Sequence, residues 1–278
     1  MFLTVNPTAF KLFGIEIQWY AIIIVTGIVL VSWLAMREAE RVGLREDDIV
    51  DFMFWALPLA ILGARLYYVL FEWQYYSENP GQILAIRNGG LAIYGGLLAG
   101  GLVLYFFTRH RFISTWKFLD VAAPSVILGQ AIGRWGNFMN QEAFGEITTK
   151  GFLESLHLPD FIIRNMYIDG AYRQPTFLYE SVWNLVGFVV LIALRKRSTF
   201  FKEGEIALTY VIWYSLGRFF IEGMRTDSLM MFDAIRVSQL LSAILFVGAI
   251  GLLVYRRKTV TPLPYYNRES KTKRETVK

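Results

Sequence analysis

Seven long apolar segments limit what this chain can fold into more than any other feature of its sequence. A helix needs about 20 mostly apolar residues to cross the hydrocarbon core of a bilayer. Only 18% of the 278 residues are charged, whereas about a quarter is usual in a soluble domain, so too few polar side chains remain to cover a soluble fold. The predicted spans are Trp19–Met36, Ile49–Phe71, Leu91–Phe107, Trp116–Ile132, Thr176–Leu194, Glu205–Ile221 and Val237–Tyr255.

The Lys and Arg residues between the spans predict the orientation of the chain. One alternating set of connecting segments, which includes the C-terminal tail, holds 18 of the 28 basic residues, and the opposite set holds 8. Because cytoplasmic loops are the more basic ones, we expect the N-terminus outside and the C-terminus in the cytoplasm. The prediction is an all-α polytopic membrane protein with a seven-helix transmembrane domain over 1–255, a small extracytoplasmic cap over 146–174 and a basic cytoplasmic tail over 256–278. We expect the tail to lack fixed structure near anionic headgroups.

The rarest residue types exclude several chemistries. The chain has no cysteine, so it can have no disulfide, no Cys-ligated zinc and no thiol nucleophile of its own. It has two histidines, His110 and His157, so a histidine-based metal site is not expected. Catalysis by this chain would therefore depend on other side chains.

A dense polar segment follows the fourth predicted span. Gly133–Gly145 contains Arg134, Asn137, Asn140 and Glu142 together with three glycines. We expect it to leave the membrane there, with the glycines permitting positive φ and close backbone approach. Arginine, asparagine and backbone amides can then form a nest for an anionic group. The alternative is a polar helix cap followed by a tight turn.

The sixth predicted span carries charge on one face. Tyr214, Arg218 and Glu222 are spaced by four residues, so they share a helix face, which Arg225 continues at the outer end. Charged residues at membrane depth are most often functional. The alternative is an ion pair within the helix that only lowers the cost of burying the charges.

Other polar residues also fall in the predicted outer half of the membrane. Tyr20 and Tyr94 are read first as interfacial anchors, and Glu180 as a first-turn acid favoured by the helix dipole. Arg65 lies late in the second span. With Arg134 and Arg218 it makes three arginines near one depth, and guanidinium groups bind phosphate in a bidentate manner. Together, the three arginines indicate a site for a phospholipid, which reaches that depth among aliphatic side chains.

The segment Gly133–Gly145 reads G-R-x-G-N-F-x-N-x-E-x-x-G, which closely resembles the signature of the bacterial prolipoprotein diacylglyceryl transferases. Four more segments are similar to that family in the same order, and together the similarity covers the chain from about Trp19 to Tyr255. The four segments are Leu62–Leu70, Leu91–Leu97, Gln174–Glu180 and Tyr214–Arg225.

The resemblance implies a reaction as well as a seven-span fold. The diacylglyceryl group of phosphatidylglycerol would move to the lipobox cysteine thiol of a preprolipoprotein, giving a thioether and glycerol 1-phosphate. The resemblance implies that no metal or organic cofactor is needed, and no nucleic-acid partner is expected. The enzyme would lie in the bacterial cell (inner or cytoplasmic) membrane among its lipids, with the active site on the extracytoplasmic side.

The resemblance also assigns roles to particular residues. Arg134 and Arg218 match the family's essential arginines, which would hold the phosphate and stabilise the charge on the leaving group. The remaining matches would line the same cavity. They are Asn137 and Gly145 with the neighbouring Asn140 and Glu142, and Tyr20, Tyr214 and Glu222.

Two departures from the family leave the general base open. Many relatives have His where this chain has Tyr94 and where it has Gln174. A thiol has a pKa of about 8.5 and reacts as the thiolate, whereas a tyrosine with a pKa of about 10 is a poor base at neutral pH. The base could be Tyr94 beside an arginine, or Glu142, or Glu222. The remaining possibility is that an arginine-rich cavity favours the thiolate without a dedicated base. We expect Tyr94 to position the substrate.

Two other classes of protein would use buried arginines differently. A lipid transporter or flippase would bind and move its substrate, but such proteins often show repeat symmetry, which this sequence lacks. A scaffold without catalytic activity would not depend on Arg134 or Arg218 at all.

Overall fold

The computed structural model describes residues 6–86, 89–197, 199–226, 230–231 and 235–267. The described residues divide into two compact units. The first unit combines Met1–Leu34 with Leu119–Lys278, and the second is Ala35–Phe118.

Helices account for most of the described chain. In order they are α1 (Trp19–Arg41), α2 (Glu46–Phe71), α3 (Trp73–Glu78), α4 (Ile93–His110), α5 (Thr115–Met139), α6 (Lys150–Ser155), α7 (Asp160–Asn165), α8 (Thr176–Arg195), α9 (Glu205–Met224) and α10 (Val237–Thr259). Each of the seven predicted spans coincides with one of the long helices.

Four helices among the described residues, α1, α2, α8 and α10, are long and apolar enough to cross a membrane. This confirms a predominantly helical protein with membrane-spanning helices. The other long helices, α4, α5 and α9, lie at predicted spans too. Helix α5 includes Asp120 and Arg134, and α9 includes Arg218 and Glu222, which lowers their mean hydropathy.

Short strands connect or flank the helices. The strands are β1 (Thr8–Leu12), β2 (Ile15–Gln18), β3 (Ile147–Thr148), β4 (Tyr167–Ile168), β5 (Ala171–Arg173), β6 (Met230–Met231) and β7 (Ile235–Arg236). All the pairings are antiparallel: β1 with β2, β5 between β3 and β4, and β6 with β7. The first pair forms a hairpin that leads directly into α1.

The predicted cap region, 146–174, folds around its own apolar cluster. Helices α6 and α7 and strands β3 to β5 belong to this region. Buried residues of these elements pack against Phe138 of α5 and Phe177 of α8, whose rings are stacked with centroids 4.5 Å apart. The small sheet is thereby fixed to the ends of two long helices. The other buried residues of the cluster are Leu153, Ile162, Ile163, Met166 and Ile168.

Helix α5 extends seven residues beyond the predicted end at Ile132 and stops at Met139. The predicted end of the fourth span at Ile132 was therefore wrong by seven residues, and the first half of Gly133–Gly145 is helical. The positive φ angles occur later, at Gln141 (53°) and Ala143 (60°), and not at the glycines. Glycine costs only about 1 kcal/mol in a helix, and at Gly136 the missing side chain permits close packing, described below. Arg134 consequently projects from a helix.

The expectation that the tail lacks fixed structure was wrong for its first part. Helix α10 continues to Thr259, and Arg257 donates from Nε and Nη2 to the buried Glu205 carboxylate at 2.5 and 2.7 Å. The Tyr266 backbone N–H donates to Phe201 O at 3.0 Å, and the Asn267 side chain donates to Arg195 O at 2.6 Å. The remainder of the predicted tail, 268–278, lies outside the described residues.

Asp120 fixes the start of α9 from a distance in sequence. Its carboxylate is fully buried and accepts hydrogen bonds from the backbone N–H groups of Gly204 at 2.5 Å and Ala207 at 2.9 Å. The first N–H groups of a helix have no partner within the helix. Asp120 supplies acceptors for them and joins α5 to α9, the two helices that carry the arginines of the site.

Candidate active site

A single buried carboxylate joins the two predicted phosphate-binding arginines. Glu180, on the second turn of α8, lies 2.6 Å from Nη2 of Arg134 through Oε1 and 3.2 Å from Nη1 of Arg218 through Oε2. The Glu180 side chain is 4% exposed, and the two arginine side chains are 19% and 15% exposed. Three helices, α5, α8 and α9, therefore meet at one ion-paired cluster, which we call the arginine layer (Arg134, Glu180, Arg218).

The predicted ion pair within α9 is confirmed, and it extends the cluster towards the C-terminal end of that helix. Arg218 Nη2 lies 2.5 Å from Glu222 Oε2, and Arg225 Nη1 lies 4.0 Å from the same oxygen. Glu222 is almost fully buried. Spacing of four residues on one helix face brought Arg218 and Glu222 together, whereas Arg225 follows the last residue of the helix.

The other residues of the polar segment connect the arginine layer to the surface. Arg134 Nη1 donates to Asn137 Oδ1 at 3.3 Å. Asn137 Nδ2 donates in turn to Glu142 Oε1 at 2.8 Å, and Asn140 Nδ2 approaches the same oxygen at 3.4 Å. Glu142 and Asn140 are exposed. A continuous set of polar contacts thus runs from exposed Glu142 to buried Arg134.

Two glycines of the segment permit close approach, as predicted. A Cβ at Gly136 would lie 2.8 Å from the ring of Tyr20, so the absence of a side chain allows α1 to pack its tyrosine on α5. A Cβ at Gly145 would lie 2.9 Å from Gln174 Cβ and 3.1 Å from the Met224 carbonyl oxygen. Gly145 instead donates its N–H to Gln174 O at 3.0 Å. These contacts hold the end of the polar segment beside the beginning of α8 and the end of α9.

Tyr214 lies one turn before Arg218 on α9 and packs against a second tyrosine of that helix. The rings of Tyr214 and Tyr210 are stacked with centroids 6.1 Å apart. Tyr214 precedes Arg218 by four residues on α9, so the predicted common face of these residues is confirmed.

Arg65 and Tyr94 belong to the second unit, Ala35–Phe118. Arg65 is 2% exposed and donates to the backbone carbonyl oxygens of Gln82, Ile83, Gly89 and Gly90 at 2.7 to 2.8 Å. These hydrogen bonds fix the connection before α4 and use most of the guanidinium donors, so we assign Arg65 a structural role in place of the predicted phosphate contact. Tyr94 is the second residue of α4.

Sequence reasoning missed the central residue of the cluster. Glu180 was interpreted as a first-turn acid, but its partners Arg134 and Arg218 lie 46 and 38 residues away in sequence. No local spacing could identify a residue paired across helices. The available signal was an acid inside one apolar segment while two arginines occupied others, since buried charges are normally paired.

The charges of the cluster favour an anion. Three guanidinium groups, of Arg134, Arg218 and Arg225, face two buried carboxylates, of Glu180 and Glu222. The Nε atom of Arg134 is buried without a hydrogen-bond partner among the residues that the structure describes. Guanidinium N–H groups are directional phosphate donors, so the cluster has both the excess positive charge and the donors that a phosphate requires.

The fold and this cluster define a multi-pass membrane protein with a buried arginine–glutamate network. Residues 7–255 match the sequence model of the family described as prolipoprotein diacylglyceryl transferase. The chain belongs to this family of transferases, as its polar segment predicted.

Curated relatives agree with this assignment over nearly their whole length. The chain is 66% identical over 277 residues to the phosphatidylglycerol–prolipoprotein diacylglyceryl transferase of Enterococcus faecalis, covering 100% of this chain and 99% of that protein. It is 59% identical over 252 residues to the protein of that name from Lactiplantibacillus plantarum, covering 91% and 89%. For the Bacillus licheniformis protein the identity is 58% over 252 residues, covering 91% and 93%.

Proposed function

We propose that the chain transfers the diacylglyceryl group of phosphatidylglycerol to the lipobox cysteine thiol of preprolipoproteins, with the arginine layer as the phosphate site. The family membership supports the reaction. The observation that supports the site is the placement of two guanidinium groups from different helices on one buried carboxylate. Such a cluster remains positively charged in a setting where charge is poorly screened by water.

The bond changes explain why arginines suit this reaction. The thiol sulfur forms a bond to C3 of the glyceryl group, the bond between C3 and the phosphate oxygen breaks, and the thiol proton ends on the released glycerol 1-phosphate. Negative charge therefore grows on the phosphate as the bond breaks. Arg134 and Arg218 stabilise that charge because their N–H donors are already oriented by Glu180, Glu222 and Asn137.

The decisive assay combines purified protein in detergent with phosphatidylglycerol and a lipobox peptide. We expect mass spectrometry to detect a diacylglyceryl thioether on the peptide cysteine and an equal amount of glycerol 1-phosphate. Binding of both substrates without the thioether would refute the transferase function and favour a transporter or a scaffold.

For the proton of the thiol, we propose that Tyr94 positions the substrate and that the arginines favour the thiolate. Replacing Tyr94 with Phe removes the hydroxyl and keeps the ring, so we expect most of the transfer activity to remain in isolated membranes. Tyr105→Phe is the matched control, because Tyr105 lies on the same helix and is 49% exposed. Near-complete loss in the Tyr94 variant alone would show that the hydroxyl takes part in the chemistry.

We also propose that all seven long helices cross the bacterial cytoplasmic membrane, with the N-terminus and the arginine layer towards the outside. The excess of basic residues in one set of connecting segments supports this orientation. In this arrangement the arginines of α5 and α9 are directed to a neighbouring helix, as their ion pairs with Glu180 of α8 indicate.

The cysteine-free sequence permits a direct test of this orientation. Phe13, between β1 and β2, is 96% exposed, and Phe112, between α4 and α5, is 97% exposed. In intact cells without a wall, a membrane-impermeant maleimide should label the Phe13→Cys protein and not the Phe112→Cys protein. After permeabilisation both should react, and the unsubstituted chain should react in neither condition. Labelling of Phe112→Cys in intact cells would reverse the proposed orientation.

A further inference from the structure

A second set of polar side chains lies one helical turn beneath the arginine layer. Gln130 precedes Arg134 by four residues on α5, and Asn184 follows Glu180 by four on α8. Contacts of Phe138 with Phe177, of Arg134 with Glu180 and of Ala131 with Ser181 show that α8 runs antiparallel to α5. Both four-residue steps therefore lead in the same direction, by about 6 Å. Tyr210 of α9 lies about two turns from Arg218, and its hydroxyl reaches this set by accepting a hydrogen bond from Gln130 Nε2 at 2.9 Å. We call Gln130, Asn184 and Tyr210 the amide layer.

Contacts between α5 and α8 place Gln130 and Asn184 at about the same level along the two helices. The Ser181 hydroxyl of α8 donates to Ala131 O of α5 at 2.9 Å. Trp183 of α8 and Trp213 of α9 each donate from Nε1 to the other's carbonyl oxygen at 3.0 Å. Asn184 directly follows Trp183 and is three residues after Ser181, so it lies where α8 meets α5 and α9.

The amide layer contains polar atoms that the protein does not satisfy. Asn184 is 0% exposed, and neither its Oδ1 nor its Nδ2 has a hydrogen-bond partner within the described parts of the chain. The same is true of Oε1 of Gln130. A buried polar atom left without a partner is costly. Two such amides in the same junction therefore indicate that a further polar group binds there.

We propose that Gln130 and Asn184 form a binding site for a hydroxyl group beneath the phosphate site. Amide oxygens accept hydrogen bonds and an amide nitrogen donates them, and a hydroxyl can do both at once. The amide layer carries no formal charge, so it does not call for an ion. Arg134 and Glu180, one turn away, form an ion pair and so partly neutralise each other's charge. The ligand of the amide layer is therefore expected to be an uncharged group that forms hydrogen bonds.

Two molecules can supply the hydroxyl. An internal water molecule needs two to four polar partners, which Gln130, Asn184 and the Tyr210 hydroxyl provide. The glycerol headgroup of phosphatidylglycerol carries hydroxyls a few bonds from its phosphate. That distance is comparable to one turn of a helix, about 5.4 Å. The hydroxyls therefore reach the amide layer when the arginines bind the phosphate. The headgroup alternative rests on the proposed function, whereas the water alternative does not.

The first experiment is a high-resolution structure of the full chain, determined once in lipid-free detergent and once with added phosphatidylglycerol. An oxygen within hydrogen-bond distance of both Gln130 and Asn184 is expected. If this oxygen occupies the same position in both structures, the ligand is water. If an oxygen of the lipid headgroup replaces it after lipid addition, the ligand is the glycerol. Direct bonding of the two amides to each other, or an apolar group between them, would overturn the proposal.

The second experiment compares two donor lipids, phosphatidylglycerol and phosphatidylethanol, which lacks headgroup hydroxyls. For a headgroup site, Asn184→Leu should reduce the preference in kcat/KM for phosphatidylglycerol by about two- to tenfold, the effect of one hydrogen bond. For a water site, it should slow both donors equally. Ser215→Ala is the matched control, because the Ser215 hydroxyl is also buried on α9 without a partner among the described residues.

The outcomes separate this proposal from the proposed function. Unchanged rates and preference in Asn184→Leu, with Ser215→Ala also unchanged, would overturn the hydroxyl site while the transferase function stands. An unsubstituted chain that forms no thioether would refute the function, and the structures would still decide whether a hydroxyl occupies the amide layer.

Discussion

Replacing either Arg134 or Arg218 with alanine is expected to lower diacylglyceryl transfer by about 100- to 1,000-fold, the usual effect of losing one preorganised donor to a developing oxyanion. Each variant removes one of the two guanidinium groups that Glu180 holds in place. The measurement is the initial rate of thioether formation on a lipobox peptide by the purified protein. The lysine variants should recover only part of the activity, because an ammonium group cannot bind phosphate in a bidentate manner.

The matched control for these arginines is Arg164→Ala. Arg164 lies in the cap region with a 64% exposed side chain and a 3.5 Å contact to Asp160, and exposed ion pairs contribute little to stability. Its transfer rate should equal that of the unsubstituted chain. Rates within a factor of about two for Arg134→Ala and Arg218→Ala would place the phosphate elsewhere, since that change is far below the effect of a lost oxyanion donor.

Replacing Glu180 with alanine should both destabilise the protein and abolish most of the transfer. Removing one partner of a buried ion pair leaves the other charges without compensation and typically costs about 3–5 kcal/mol. Here two arginines lose the same carboxylate, and their like charges then repel each other. We expect a clear fall in the thermal unfolding midpoint in detergent, together with a transfer rate near that of Arg134→Ala.

Glu180→Gln separates the two effects, because it keeps the shape and the hydrogen-bond acceptor and removes the charge. It should restore part of the stability while the arginines remain less well oriented. Glu154→Ala is the control, since Glu154 pairs with Lys150 at 2.8 Å through side chains that are both more than half exposed. Full stability and full activity in Glu180→Ala would contradict the central position assigned to this carboxylate.

The arrangement of Glu180 also makes the proposed membrane crossing of α5 and α9 physically reasonable. A lone arginine inside a bilayer would be costly, but here each of the two arginines has at least one carboxylate partner. Pairing is incomplete, so the cluster retains a positive charge. That excess is what a phosphate group would neutralise on binding.

Some parts of the site followed directly from the sequence. The spacing of Arg218 and Glu222 predicted their ion pair, because residues four apart lie on one face of a helix. The polar composition of Gly133–Gly145 predicted a segment of unusual function, and Gly136 and Gly145 are indeed sites of close approach. The family assignment came from the same segment and is confirmed.

Other parts required the tertiary structure. The glycines near the end of α5 suggested an early exit from the helix, but packing of Tyr20 on Gly136 accompanies a helix that continues to Met139. Arg65 looked equivalent to the other arginines until its backbone acceptors were known. In both cases the deciding partner lies far away in sequence.

The sequence by itself therefore determined the helical membrane architecture, the family and the identity of most polar residues, because apolar length, local spacing and residue type are properties of short segments. Only the tertiary structure decided that Glu180 joins Arg134 to Arg218 and that Gln130 of α5 comes to about the same level as Asn184 of α8. Those relations depend on how α5, α8 and α9 pack. Packing is set by many distant side chains together, and no local pattern records it.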